Sequence, residues 1–436
     1  MYNYKKAGAV LIGNTMQFYD FTIYAFLATQ IGKQFFNFKS EFLSYLVVFC
    51  VFAGGYLTRP IGALIFGHFG DRNGRSKALS VTIIFSALTT FLIGILPGYK
   101  TMGLASPIIL VMLRLIQGLA VSGEEGGSVV LLFEGNSFKN KGVIGSMVLS
   151  SVLVGVLLGM IVCLETNRIF SDPSFEYWSW RIPFLLSLPL GIIGVSLRFL
   201  FNDDQLFLLA KQKKLLIQKP GKSLFKTHLW TVLYGVSIVS IYSIMTSTLI
   251  VHLPYFFKVK MGFTPDMSLL ILIFSISLIV ILTPLFGKIY ESYDSKIVHR
   301  YYSILVAITA PILFYYAASG NVLQTTISIV LFSILTALIS STIFSILVGQ
   351  FPFGVRYSGV SLAFNLSVTI FSSSTPVILI FLENYFKTNY VIGLYISFLT
   401  VLSIITNFIF QKKLDSNHFT IFDNEKMIYK SMQLSE

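Results

Sequence analysis

The sequence predicts an all-α membrane protein in which twelve transmembrane helices form two pseudo-symmetric halves of six. Its 436 residues are 55% hydrophobic and 12% charged, whereas soluble domains carry roughly 25% charged residues. The mean hydropathy of +0.77 leaves too little polar surface to coat a water-soluble protein. A helix needs about 20 apolar residues to cross the hydrocarbon core, and a polar segment in mid-chain separates six such stretches from six others.

These stretches are continuously apolar, which predicts helices rather than the alternating strands of a barrel. The first stretch is too long for a cleavable signal peptide, carries Asp20 in its middle and lacks a small-residue cleavage site. The expected spans are residues 8–30, 42–66, 78–96, 106–132, 142–164, 182–201, 229–256, 267–289, 299–318, 321–348, 358–382 and 389–410.

The distribution of basic residues predicts the orientation. With alternating spans, 22 lysines and arginines fall on the side of the N-terminus and eight on the opposite side, while Arg59 and Arg114 lie within spans. The positive-inside rule then places both termini in the cytoplasm. The net charge of +13 is therefore a topology signal. It is compatible with contact to anionic lipid and requires no nucleic acid partner.

The longest internal polar segment, residues 202–228, joins the two halves. Leucines lie among its lysines, which predicts a short amphipathic helix at the cytoplasmic surface. We therefore expect an N-terminal half of residues 1–201, this linker, a C-terminal half of residues 229–413 and a cytoplasmic tail of residues 414–436.

A compact polar loop, GHFGDRNGRSK, occupies residues 67–77 between the second and third spans. Glycine at its start allows close helix packing, and Asp71 is suited to a helix N-terminus, where free amides and the macrodipole favour an anion. Contacts that form in one conformation and break in another predict a cytoplasmic gate, the alternative being a solvated turn. The expected gate residues are Gly67, Asp71, Arg72, Gly74, Arg75 and, as a carboxylate partner for the arginines, Glu134.

Residues 287–296 hold a faint second copy of this loop. The copy keeps Gly287 and Lys296 at the same separation but has Glu291-Ser292 in place of the Asp-Arg pair. It gives modest support to an internal duplication.

Charged side chains within the spans indicate a functional site, because each costs about 2.5–3.5 kcal/mol at the bilayer centre. Asp20 lies in the first span, and the fourth carries Arg114, Gln117, Glu124 and Glu125. At about 100° per residue these last four share one helix face, which predicts the lining of a water-filled cavity. A carboxyl group there binds a proton when buried and releases it when hydrated. Glu124 is the expected carrier, and a static salt-bridge network is the alternative.

Other polar residues in the spans receive simpler interpretations. Arg59 either joins this network or snorkels to the headgroups. In the C-terminal half, which is almost free of intramembrane charge, His252 is interpreted as structural and Asn365 as a hydrogen-bonding group of the cavity. Cys50 and Cys163 are interpreted as buried packing residues.

Several motifs carry a family resemblance. The loop at residues 67–77 resembles the connection between helices 2 and 3 of the major facilitator superfamily. Residues 13–24, GNTMQFYDFTIY, resemble the helix 1 motif GNxxEW[FY]D[FW]xxY of its metabolite:proton symporter family. Residues 117–124 (QGLAVSGE), 180–184 (WRIPF) and 351–359 (FPFGVRYSG) are similar to that family's QGxxxGGE, WRIPF and FPxxxRYSG.

The resemblance implies twelve helices, a bacterial inner membrane and proton-driven uptake of a small polar metabolite. We expect a monomer that needs no cofactor or metal. It implies functional roles for Asn14, Asp20, Tyr24, Arg114, Gln117 and Glu124. Two positions depart from the pattern, since Gln17 replaces the motif's glutamate and Glu125 stands where an aromatic residue is usual. Either the carboxyl group has moved to the fourth helix, or the protein is a proton-independent facilitator.

One cationic Arg114 among three acidic groups predicts a zwitterionic substrate, with its carboxylate at Arg114 and its ammonium at Asp20 or Glu124. This favours an osmolyte or amino acid such as betaine or proline over the alternative, an organic acid of the dicarboxylate or shikimate type. An enzyme is not expected, because the five histidines are scattered and the sequence has no GxxxxGK[ST] nucleotide loop.

Overall fold

The computed structural model of the chain describes residues 4–36, 47, 50–51, 53–135, 140–170, 178–199, 205–212 and 216–415. Every element within these residues is a helix. The helices form two compact units, one of residues 1–128 and 151–203 and the other of residues 129–150 and 204–436. The domain limits expected from the sequence stay a prediction, and the tail beyond Asp415 lies outside the described residues.

Ten helices of the first unit lie wholly within the described residues, and two of them continue into the second unit. They are α1 (Tyr4–Phe26), α2 (Ala28–Phe35), α3 (Arg59–Asn73), α4 (Arg75–Ile95), α5 (Tyr99–Met102), α6 (Ala105–Val121), α7 (Glu124–Gly135), α8 (Lys141–Ile169), α9 (Arg181–Leu185) and α10 (Ser187–Phe199). Residues 129–135 of α7 and 141–150 of α8 belong to the second unit.

Close packing of α1 against α8 depends on a glycine. A Cβ atom at Gly155 would lie 2.8 Å from the Cβ of Phe18, so no larger residue fits there without displacing α1. This is the way in which small residues bring membrane helices together. In the buried aromatic core of the unit, Trp180 packs edge-on against Phe35 and Phe184. The distances between ring centroids are 5.6 and 5.8 Å.

The second unit contains the remaining helices. They are α11 (Gln205–Gln212), α12 (Pro220–Thr227), α13 (Leu229–Ser247), α14 (Leu253–Tyr255), α15 (Pro265–Ile289), α16 (Ser295–Ala317), α17 (Val322–Gln350), α18 (Arg356–Ser367), α19 (Ser373–Phe386) and α20 (Val391–Asp415). Side-chain caps fix several starts, as at Asn321, whose side chain accepts hydrogen bonds from the amides of Leu323 and Gln324.

Ten of the helical segments are long and apolar enough to cross a membrane, within the residues that the structure describes. The first and second predicted spans are not among these ten. The first forms α1, whose Asn14, Gln17 and Asp20 lower its hydropathy, and the second falls partly outside the described residues. The fold class expected from the sequence is confirmed.

The prediction of an eleven-residue loop at residues 67–77 is wrong, because the connection is much shorter. Helix α3 continues to Asn73 and α4 begins at Arg75, so a single residue, Gly74, joins them. Gly74 has φ +118°, a conformation that residues with a side chain rarely adopt. The polar residues of the motif therefore lie in the last turn of one helix and the first turn of the next.

The linker prediction also needs correction, because two short helices, α11 and α12, replace the single amphipathic helix. Helix α11 is anchored by Phe207 and Ala210, which pack with Phe353 in a small buried cluster, whereas Leu208 is exposed. Among the cysteines, Cys163 is buried as expected, but Cys50 is exposed, so its interpretation as a buried packing residue was wrong.

Candidate functional site

Four polar residues of the α1 motif are buried in the first unit: Asn14, Gln17, Asp20 and Tyr24. They fall on one face of α1, since at about 100° per residue they span roughly 120°. Asn14 donates from Nδ2 to Ser151 Oγ on α8 at 2.7 Å. The close approach of α1 and α8 at Gly155 brings these two residues within hydrogen-bonding distance.

Asp20 is a buried carboxyl group without a cation. Its side chain is 3% exposed, and Ser86 Oγ donates to Oδ2 at 3.3 Å. Oδ1 has no hydrogen-bond partner among the described residues, and no ion pair joins Asp20 to a described arginine or lysine. Because an ionised carboxylate is costly when it is buried and unpaired, this group is suited to binding a proton.

Gln17 occupies the position of the family's glutamate. Its side chain is 1% exposed, and neither the amide oxygen nor the amide nitrogen has a hydrogen-bond partner among the described residues. A buried amide without partners costs about 1–3 kcal/mol. An unsatisfied polar group of this kind requires an explanation, and ligand binding is one.

Arg114 and Gln117 of α6 contact the same region of α1. Gln117 donates to the carbonyl oxygen of Asp20 at 2.9 Å and to Thr90 Oγ1 at 2.6 Å, and its own oxygen accepts from Arg114. The guanidinium of Arg114 lies 4.2 Å from the ring centroid of Tyr24 and 4.9 Å from that of Phe21, within the range of cation–π attraction.

Glu124, the expected proton carrier, is held in a buried ion pair. Arg198 donates from both terminal nitrogens to its two carboxylate oxygens, and Thr82 and Ser128 each donate to it at 3.0 Å. Both partners are nearly inaccessible. Bidentate pairing with further hydrogen bonds stabilises the ionised carboxylate, which makes Glu124 less suited to proton exchange than Asp20.

Glu125 forms a second buried pair, with Arg59 at 3.2 Å. Arg59 is 2% exposed and its guanidinium lies over the rings of Phe21 and Tyr56, so it does not snorkel to the surface. The fourth span is interrupted at Ser122-Gly123, where α6 ends and α7 begins. The predicted continuous stripe is therefore divided: Arg114 and Gln117 lie with Asp20, while Glu124 and Glu125 join separate arginines.

The loop motif of the first unit forms a capped helix end. Arg75 is buried and donates to the carbonyl oxygens of Gly70 at 3.2 Å and Asp71 at 3.4 Å, and it lies 3.6 Å from the Asp71 carboxylate. A cation at the C-terminal carbonyls of α3 is favoured by the helix macrodipole. Gly67 is buried in α3, and Arg72 is exposed.

In the second unit, Glu134 pairs with Arg356 at 3.0 Å, and both side chains are buried. Arg356 also donates from Nε to the carbonyl oxygen of Phe351 at 3.1 Å. These residues connect the end of α7 with the RYSG motif that begins α18. Asn365, nine residues after Arg356 on α18, is buried and donates to the carbonyl oxygen of Ser361 at 2.8 Å.

The second copy of the loop makes the contact that was expected of Asp71. Glu291 accepts hydrogen bonds from the amides of Gly142 at 3.1 Å and Val143 at 3.3 Å, at the N-terminus of α8. Burial raises the pKa of the adjacent Tyr290 phenol. The phenol therefore keeps its proton at neutral pH and donates to the Ser341 carbonyl oxygen at 2.6 Å.

Sequence reasoning did not single out three buried charges, Arg198, Arg356 and Glu383. Arg198 falls inside the predicted sixth span, Arg356 lies in the FPFGVRYSG motif and Glu383 lies one residue beyond the eleventh span. All three are at most 3% exposed. An inventory of every charge within or beside a predicted span would have found them.

Comparisons with known proteins agree with this architecture. A family model described as "Sugar (and other) transporter" matches residues 6–218. The proline/betaine transporter of Salmonella typhimurium is 29% identical over 415 residues, which cover 92% of this chain and 82% of the relative. The citrate-proton symporter of Salmonella typhi is 30% identical, covering 85% and 86%. The solved structure of the proton:xylose symporter XylE has TM-score 0.72 at 16% identity, covering 93% and 94%.

The fold, the buried polar face of α1 and these relatives define a secondary transporter. The chain belongs to the major facilitator superfamily and, within it, to the metabolite:proton symporters. It is a multi-pass protein of the inner membrane, as is the Escherichia coli relative named inner membrane metabolite transport protein YhjE, which is 29% identical and covers 91% of each chain.

Proposed function

We propose that this protein imports a small zwitterionic metabolite of the proline or betaine class together with a proton, by alternating access. The observation that carries the proposal is the buried carboxyl group of Asp20, which has no cationic partner among the described residues. Relatives named proline/betaine transporters support this substrate class.

Charge balance in the first unit supports a zwitterion. Arg198 neutralises Glu124, and Arg59 neutralises Glu125. Arg114 lies beside Asp20, since Gln117 contacts both residues. A substrate with one carboxylate and one ammonium group needs a single cation at its carboxylate, and we assign that role to Arg114.

We assign the role of proton carrier to Asp20 rather than to Glu124. Proton binding at Asp20 removes a buried negative charge, and release requires hydration of the site, as in the alternation between closed and open states. Gln17 supplies hydrogen bonds to the substrate from an amide that has no hydrogen-bond partner among the described residues. The proton gradient is the energy source, and no cofactor is proposed.

An organic acid is the second candidate substrate, because relatives named citrate-proton symporters are 30% and 31% identical to the chain. A di- or tricarboxylate requires more positive charge than Arg114 alone supplies. It is therefore favoured only if Arg59 or Arg198 leaves its carboxylate partner during transport.

Uptake by the purified protein in proteoliposomes tests the function. Labelled proline, betaine, citrate and shikimate are offered with and without an inward proton gradient. We expect gradient-driven accumulation of proline or betaine. Accumulation of citrate alone contradicts the zwitterion, and equal uptake with and without the gradient contradicts proton coupling in favour of a facilitator.

We also infer that both termini are cytoplasmic, from the distribution of basic residues. Lys100 and Lys211 are both exposed, and the predicted topology places them on opposite sides of the membrane. In a background carrying Cys50→Ser, Lys100→Cys should react with an impermeant thiol reagent in intact cells, and Lys211→Cys only after the cells are opened. The reverse labelling contradicts the orientation. We infer a monomer in contact with lipid, which the mass of the detergent-solubilised particle tests.

A further inference from the structure

We propose that His252 and Glu383, in the second unit, form a second proton-binding site of the transporter. Its part in transport rests on the proposed proton coupling, whereas its capacity to bind a proton does not. Neither His252 nor Glu383 lies in a motif of the family.

The pair is fully enclosed. His252 and Glu383 are 0% and 1% exposed, and His252 Nε2 lies 3.4 Å from Glu383 Oε1. The remaining polar atom of each side chain, Nδ1 of the imidazole and Oε2 of the carboxyl group, has no hydrogen-bond partner among the described residues. Among the described residues, each side chain therefore has only the other as a hydrogen-bond partner.

The charges around the pair favour one shared proton. Among the described side chains of residues 229–413, Glu383 is the only buried carboxyl group, and no described lysine or arginine forms an ion pair with it. One proton held between imidazole and carboxyl leaves the pair neutral, whether as His⁺ with Glu⁻ or as two neutral groups. Loss of that proton leaves a buried negative charge, and gain of another leaves a positive one.

Aromatic rings and one lysine are among the described side chains around the pair. The ring of Tyr255 lies 6.0 Å from the imidazole and that of Phe256 lies 6.5 Å away. Lys260 donates to Asn384 Oδ1 at 3.0 Å, at the exposed end of the same two helices. On α20, the hydroxyl of Tyr395 contacts Thr375, two turns before Glu383.

The helix that carries His252 is irregular at this level. His252 ends a π-helical turn, Thr248–His252, and a second π turn follows at Phe256–Lys260. Glu383 lies in the regular helix α19. Single π turns are frequent at functional sites because they interrupt the regular hydrogen-bond ladder. A change in the charge of the pair thus acts where the helix of His252 is most easily rearranged.

The proton comes from water at the helix ends marked by Lys260 and Asn384 and returns to water after the conformational change. No heavy-atom bond forms or breaks.

Infrared difference spectra of the purified full-length protein, recorded between acid and alkaline pH, test proton binding directly. In Glu383→Gln we expect loss of one carboxyl titration signal, and in His252→Gln a displaced pH midpoint of the same signal. Glu165→Gln is the matched control, because Glu165 is exposed and paired with exposed Arg168. An unchanged buried-carboxyl signal in Glu383→Gln, or an unmoved midpoint in His252→Gln, overturns the site.

Transport separates this proposal from the proposed function. If the wild type accumulates substrate in a proton gradient, Glu383→Gln should reduce that accumulation at least tenfold while substrate counterflow persists. Full accumulation by Glu383→Gln overturns the role in coupling. Absence of gradient-driven accumulation in the wild type contradicts the proposed function instead, while the infrared result still decides whether the pair binds a proton.

Discussion

The two units bury their charges differently. In the first unit, Arg198 pairs with Glu124 and Arg59 pairs with Glu125, whereas Asp20 has no cationic partner among the described residues. In the second unit, one complete ion pair, Glu134 with Arg356, lies at one end. A histidine–glutamate pair lies towards the other end, near Lys260 and Asn384.

This difference separates structural charge from titratable charge. An arginine remains protonated at any physiological pH, so a carboxylate that it binds stays ionised and the pair holds helices together. A carboxyl group paired with serine or histidine has no permanent counter-charge and can exchange a proton.

Asp20→Asn should abolish proton-driven accumulation, with a loss of at least tenfold, because the amide cannot bind or release a proton in the working range. Counterflow exchange of substrate, which needs no net proton movement, should be retained in part. Uptake in proteoliposomes with an imposed pH gradient measures both. Ser86→Ala is the control, since it removes only the hydrogen bond to Asp20, and undiminished accumulation in Asp20→Asn would return the role to Glu124.

Arg198→Gln should destabilise the protein by about 3–5 kcal/mol, because it leaves Glu124 buried and ionised. His252→Gln should cost less, since Glu383 can take the shared proton and become neutral. Thermal denaturation in detergent ranks the two variants, and Arg168→Gln, at an exposed pair, should change stability by no more than about 0.5 kcal/mol. Equal losses for Arg198→Gln and His252→Gln would contradict the distinction between the two kinds of pair.

Gln17→Leu should increase stability by about 1–3 kcal/mol, because it removes a buried amide that has no partner. If that amide binds substrate, the variant should also raise the KM for uptake at least tenfold. Gln117→Leu is the matched control: its amide makes several hydrogen bonds, so the same substitution should destabilise the protein. A Gln17→Leu variant with lower stability and unchanged KM would make Gln17 a structural residue.

The sequence was sufficient for the fold because transmembrane helices are long and continuously apolar, and the motifs located the polar residues. It could not show how those residues pair. Arg198 is 74 positions from Glu124, and only tertiary structure brings them together. Helical periodicity also fails across Ser122-Gly123, because an extrapolation at 100° per residue assumes an unbroken helix.

The loop motif at residues 67–77, which predicts a cytoplasmic gate, shows the same dependence on tertiary packing. The spacing of the loop motif indicated an anion at a helix N-terminus, and this contact exists in the second unit, at Glu291. In the first unit, Arg75 lies against Asp71 and the end of α3 instead. A pattern of residue types can indicate the chemistry of a contact, but which copy of a repeat makes it depends on packing.

Glu291→Gln should have the smallest effect, about 0.3–1 kcal/mol, because glutamine keeps a hydrogen-bonding oxygen and loses only the attraction of the charge to the helix macrodipole. Asp294→Asn is the control, since asparagine caps a helix as well as aspartate does, and its stability should not change. Asp71→Asn should cost more than Glu291→Gln, because Asp71 and Arg75 are both buried whereas Glu291 is exposed. Thermal denaturation and the initial rate of uptake measure all three variants. If Glu291→Gln slows uptake more than Asp71→Asn does, the second copy of the loop is the stronger gate, and the comparison between the two units must be reversed at this end of the molecule.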